Sequence, residues 1–155
     1  MVVIVLCRFL SFRSCFLCLA QVICDSPDHA MLCDLVREVG MDNVFSGGLF
    51  TVFVPSNEAF ESYGFMNQTD DGFSTEILLQ HVVSGSATYS KDIVCDMVVD
   101  MANGESNTIA CGEDGSFTIT GPGNAENGTA PLITGPDIGA CNGVIHSINR
   151  LIFPS

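Results

Sequence analysis

The pattern of apolar and polar positions divides the chain into a helical leading part and a strand-rich remainder. Leu32, Leu35, Val36 and Val39 recur at helical spacing. Ser26-Pro27 stands ahead of them as an N-cap with proline in the first turn, and Gly40 ends the helix. Gly47-Gly48 predicts a turn, and Leu49–Val54 a short buried strand. Pro55-Ser56-Asn57-Glu58 opens a short helix with Ser56 as cap, and residues 67–72 form a polar loop. Ile77, Leu78, His81 and Val82 give a second helical stripe. From Ser84 onward short Val/Ile/Thr runs alternate with Gly, Asn and Asp: Met97–Met101, Asn107–Ala110, Phe117–Thr120 and Val144–Asn149. Helices first and strands after predict an α+β domain with a mostly antiparallel sheet. No internal repeat or linker interrupts it.

Residues 1–20, MVVIVLCRFLSFRSCFLCLA, are apolar and acid-free. Cys18 and Ala20 suit the −3 and −1 positions of a secretory signal, which is the reading preferred here. A signal anchor is the alternative, but Arg8 and Arg13 break the run short of the ~20 apolar residues a span needs. Cys15-x-x-Cys18 lies inside this leader, with no βαβ pattern around it to make it a redox motif. The mature domain is expected to be secreted, without insertion into a membrane.

Charge narrows the choice of partner. The 155-residue chain has 18 acidic and five basic residues, a formal net charge of −13. A surface of that sign repels nucleic acid and anionic lipid. No D-x-[DN]-x-[DN]-G loop suggests a defined calcium site, so no metal or cofactor is expected. Five cysteines follow the leader. Cys95 and Cys111 lie symmetrically about the Asn103-Gly104 turn signal, so a hairpin folded there opposes them at disulfide distance. Cys24 and Cys33 flank the start of the first helix and could close a short loop. That scheme leaves Cys141 unpaired.

Three blocks then become recognisable in order: TVFVPSNEAF (51–60), LLQHVV (78–83) and NGVIHSINRLIFP (142–154). Together they resemble the fasciclin (FAS1) domain across residues 22–154. The resemblance implies a β-sandwich wedge with helices packed around it. It gives Thr51, Pro55, Asn57, His81, Asn142, Gly143 and His146 the role of structural motif residues. It also implies extracellular adhesion through cell-surface or matrix proteins or glycans, self-association included. Some members carry an Asp-Ile pair before the final motif that is implicated in integrin recognition, and Asp137-Ile138 occupies that place here. Weighed against receptor contact, Ile138 anchoring a strand and Asp137 capping a turn is the favoured reading of that dipeptide. Gln80 departs from the family, where tyrosine is usual.

Catalytic chemistry finds little support. The histidines are His29, His81 and His146, and neither G-x-S-x-G nor H-E-x-x-H occurs. Half-buried histidines bonded to the backbone explain His81 and His146 better than a hydrolase does. Gly121-Pro122-Gly123 reads as a turn, not a dinucleotide loop. Sequons at Asn67 and Asn127 fall in predicted polar loops and are candidate glycosylation sites. The chain is therefore expected to be a non-enzymatic adhesion or matrix-binding module. A secreted small-ligand or lipid-binding domain is the alternative, resting on a mean hydropathy of +0.39.

Overall fold

The computed structural model describes residues 19, 22–39, 49–62, 71–127, 130–140 and 143–154. The remainder of the leader, Gly40, Gly47-Gly48, Asn67, Cys141 and Asn142 lie outside the described residues.

Strand β1 (Phe50–Pro55) is buried along its whole length. Such a strand needs cores on both faces, and its side chains alternate between them. Phe50, Val52 and Val54 face a core made with Leu19, Ile23, Leu32, Val36, Leu78 and Ile145. Phe53 faces the other, with Ile109, Ile119, Ile148 and Ile152. The first core is covered by helix α1 (Ala30–Val39), whose Leu32, Cys33 and Val36 are buried. Helices α2 (Asn57–Ser62) and α3 (Asp71–Leu79) pack against α1 or follow β1 directly.

Strands β2 (Val82–Ser84), β3 (Met97–Asp100), β4 (Ser106–Cys111), β5 (Phe117–Thr120), β6 (Ile133–Ala140) and β7 (Gly143–Ile148) complete two sheets. The orders are β2-β1-β7-β6 and β3-β4-β5. Pairing is antiparallel except between β1 and β7, which run parallel from Phe50↔Gly143 to Pro55↔Ile148. That pair joins the first and last strands of the domain. Gly143 makes it feasible, because a Cβ there would fall 2.0 Å from the Phe50 carbonyl oxygen.

Several local expectations shift. Ser26 sits at the N-cap with extended backbone, but it makes no side-chain capping bond, and a 3-10 turn (Pro27–His29) precedes α1. The 77–82 stripe is not one helix. Helix α3 ends at Leu79, His81 lies in a turn, and the β-branched Val82 begins β2 beside β1. Asp71 and Gly72, expected in a loop, start α3. Pro122–Asn127 is a short helix, α4, where a turn was expected. Asn127 therefore ends a helix and does not lie in a loop. Ile138 lies in a strand as expected, but β6 extends from Ile133 through Pro136 and two glycines; its register shifts twice along β7, and it is tolerated because it is an edge.

The hairpin between β3 and β4 pairs Met97↔Ile109 through Asp100↔Ser106. That register sets Cys95 opposite Cys111, and the two are bridged, with Cα atoms 5.2 Å apart. Cys24 and Cys33 are bridged as well, at 5.0 Å, tying the helical residues 22–25 to α1. The turn is a residue longer than a two-residue Asn-Gly turn. Met101 N–H bonds the Glu105 carbonyl, Gly104 N–H bonds the Met101 carbonyl, and Gly104 takes φ +91°.

Candidate functional site

The motif residues share one device. Thr51, Asn57, His81 and His146 each place a donor and an acceptor against backbone, much as a neighbouring strand does. Thr51 Oγ1 donates to the Ser86 carbonyl (2.8 Å) and accepts the Thr88 N–H (2.8 Å). His146 Nε2 donates to the Thr88 carbonyl (2.7 Å), while Nδ1 accepts the Asp137 N–H (3.2 Å). His81 Nδ1 donates to the Ile77 carbonyl (2.5 Å), and Nε2 accepts the Ile152 N–H (3.0 Å). Asn57 Nδ2 donates to the Pro27 carbonyl (2.8 Å) and Oδ1 accepts the Met31 N–H (3.1 Å). Pro55 closes β1, and the next amide, Ser56 N–H, bonds the Ile148 carbonyl (3.0 Å).

These bonds dictate the histidine protonation states. One ring nitrogen must donate and the other accept, which only a neutral imidazole can do. Burial agrees with this. Desolvation pushes His81 down to about 4, only partly offset by its bond to the Ile77 carbonyl. It lowers His146 too, against the Thr88 carbonyl bond and the nearby Asp137 charge. His146 also stacks on Phe53, its register partner, with ring centroids 5.5 Å apart.

Asp137 and Ile138 lie in the irregular part of β6, between the register positions Gly135 and Ile138. Asp137 has φ 61°, a left-handed conformation that aspartate tolerates better than most residues. It is exposed, yet its carboxylate accepts the Ser90 N–H at 2.7 Å and the Ser90 hydroxyl. Those two bonds hold the carboxyl below the usual carboxylate range. Ile138 is half-buried against the helix-side core. Thr51, His146 and Asp137 thus fasten the segment 86–90 to the sheet at successive points.

Two buried amides, Asn124 and Asn107, were missed in the sequence, and the noted Gln80 is buried with them. Asn124, on α4, donates to the Leu151 carbonyl (3.0 Å) and accepts the Phe153 N–H (2.8 Å). Gln80, at the position where the family usually has tyrosine, donates to Asn107 Oδ1 (2.5 Å) and accepts from Asn103 Nδ2. The available signal for Asn107 was its phase, two residues before Ile109 on the buried side of β4. For Asn124, the Gly121-Pro122-Gly123 context concealed it.

His29 Nε2 lies 3.0 Å from Ser147 Oγ. Burial lowers the His29 pKa, with exposed Asp28 opposing. Between α1 and the sheet, the space lined by Ile23, Leu32, Val36, Val52, Leu78 and His81 is about 10 Å³, room for a single water. Among the described residues no three His, Cys, Asp or Glu side chains gather to hold a metal ion. No described helix is long and apolar enough to cross a membrane.

The match to the fasciclin domain model runs over residues 27–154, from the 3-10 turn ahead of α1 to the segment after β7. The chain belongs to the fasciclin domain family. It is 31% identical to human periostin over 128 residues, covering 81% of this chain and 14% of that protein. It is also 31% identical over 124 residues to transforming growth factor-beta-induced protein ig-h3 from Sus scrofa, covering 77% of this chain and 17% of that protein. The chain thus spans less than a fifth of the length of these relatives. A FAS1 domain pair from the insect cell adhesion molecule fasciclin I shares the fold, with a TM-score of 0.63 and 20% identity over 81% of this chain and 45% of that one.

Proposed function

We propose that this fasciclin domain is a secreted adhesion or matrix-binding module that acts through surface contacts and performs no catalysis. The observation that carries the reading is the use made of the motif side chains. Thr51, Asn57, His81 and His146 have their donors and acceptors taken up by backbone from other segments, which leaves those groups committed to the fold. Two further facts support it. A structural relative is named as a cell adhesion molecule, and two disulfides suit an oxidising compartment.

The test is retention of the purified, disulfide-intact chain on beads coated with extracellular-matrix or cell-surface extract, alongside aggregation of beads coated with the chain itself. Binding above a reduced and unfolded control is expected. Absence of binding to every surface and to itself would overturn the reading.

A further inference from the structure

We propose that the Cys95–Cys111 bridge is a site of reversible thiol–disulfide exchange that takes positively charged thiols in preference to negatively charged ones. The proposal concerns the bridge itself and stands apart from the adhesion reading.

The two bridges differ in access. Cysteine is among the residues most often buried in folded proteins. Cys33 follows that rule at 5% exposed, and Cys24 is half-buried against the same helix-side core. Cys95 and Cys111 are both exposed. A thiolate must reach a sulfur of the bridge to open it, so access favours Cys95–Cys111.

Position points the same way. The ladder of β3 and β4 ends at Met97↔Ile109, and the bridge lies beyond it. Cys95 sits in the turn closed by the Met97 N–H on the Val94 carbonyl (3.1 Å), next to Asp96 with its left-handed φ of 61°. Val94 in that turn is 67% exposed. Opening the bridge leaves every pair of the ladder in place and frees the turn. The segment before it stays pinned at residues 86–90 by Thr51, His146 and Asp137, and Ile93 stays packed on the second core. The domain can therefore pass between bridged and open forms without unfolding.

Charge selects the reagent. Asp96 adjoins Cys95, while Glu113 and Asp114 follow closely on Cys111, and all three are exposed. The nearest basic residue along the chain to either cysteine is Lys91, ahead of Cys95. The thiolate of the incoming thiol attacks one sulfur, forms a mixed disulfide and expels the other sulfur as a thiolate, which takes up a proton. A second thiol resolves the mixed disulfide. Two thiols are thereby oxidised to one external disulfide, and the bridge gains two electrons and two protons. Negative charge gathers beside carboxylates as the bond breaks, so an ammonium group on the reagent offsets it and a sulfonate adds to it.

The experiment treats the full, disulfide-intact chain with cysteamine or with mercaptoethanesulfonate at equal thiolate concentration, then traps free thiols with iodoacetamide for peptide mapping. Cys95 and Cys111 should be labelled at least about tenfold sooner than Cys24 and Cys33. Cysteamine should open the bridge about tenfold faster than the sulfonate at low salt, and about 1 M salt should narrow the gap to about twofold. The circular dichroism spectrum should persist, the Met97 amide should exchange faster, and cystamine should restore the bridge. Asp96→Asn with Glu113→Gln should narrow the gap to about threefold, asparagine being able to keep the left-handed turn. The same charge change on α2, Glu58→Gln with Glu61→Gln, should leave the gap as it is. Labelling of Cys24 and Cys33 first or together with the other pair, loss of the fold on opening, or equal rates for the two thiols overturns the proposal. An equal response to both charge pairs also overturns it, because the preference would then belong to the net charge of −13 and not to this site.

Discussion

The two sheets reach similar regularity by opposite routes. The sheet of β3, β4 and β5 is a meander in which each strand pairs with its neighbour in sequence. Its register follows from a local turn, apolar alternation and one cross-strand disulfide. The four-stranded sheet has at its centre a parallel pair taken from the beginning and end of the domain. Nothing local sets that register. A close backbone contact at Gly143 and the side chains of Thr51, His81 and His146, each reaching to another segment, set it instead. Motif residues therefore concentrate where the contacts are longest in sequence, because only there does the fold depend on side chains to position backbone.

The sharpest way to break this contrast is Gly143→Ala. A methyl group 2.0 Å from the Phe50 carbonyl oxygen leaves no room without separating β1 from β7. A loss of about 3 kcal/mol or more is expected, read by urea denaturation, because backbone cannot yield as a side chain can. Near-native stability would show that the central pair adjusts freely, and the long-range sheet would then lose its special status.

Acid should find the same sheet next. His81 is neutral in the fold, with its pKa down to about 4, while in the unfolded chain it titrates near the ordinary histidine value of 6.5. Between those values the unfolded state holds the extra proton, so stability is full above pH 6.5 and falls as pH drops toward 4. The span corresponds to roughly 3 kcal/mol at 1.36 kcal/mol per unit. His146 and His29 shift in the same direction. Asp137, whose pKa is lowered, adds a further loss only at lower pH, as its carboxylate protonates below the ordinary aspartate range. Denaturation at pH 7, 5.5 and 4.5 should show the decline, and His81→Gln should flatten most of it while lowering stability at pH 7. An unchanged slope in that variant would mean that His81 does not govern acid sensitivity.

The contrast also explains what the sequence discloses. The α+β class, β1, α1, the strands of the meander and the Cys95–Cys111 pairing were legible from spacing, because each is written in neighbouring residues. The end of α3 was not. Ile77, Leu78, His81 and Val82 match a helical stripe, and only the pairing of Val82 and Val83 with β1 draws them out of it. Of strand β6 only Ile138 was legible; the length of the strand was hidden by Pro136 and its glycines, residues that an edge accepts. The roles of Thr51 and His146 were suggested by family motif, yet their shared target Thr88 lies 37 and 58 residues away and has no sequence signal.

The smallest effect should come from the meander's covalent tie. In the chain-entropy account a bridge closing a loop of this length stabilises by about 3 kcal/mol. Here the sequence separation is 16 residues, and the bridge continues a ladder that the 97–109 and 99–107 pairs have already aligned. Part of the constraint is thus duplicated by backbone bonds and by the burial of Val99 and Ile109 in the second core. Cys95→Ser with Cys111→Ser is accordingly expected to cost about 2 kcal/mol, at the lower end of the usual range. The β3 and β4 amides should exchange faster, while those of β1 and β7 keep their protection relative to global unfolding. The acid profile set by His81 should keep its shape, since among the described residues that ring bonds to Ile77 and Ile152, away from the hairpin. If the double variant instead unfolds the whole domain, or erases the acid dependence, the two sheets are one cooperative unit and the division drawn between local and long-range construction does not hold.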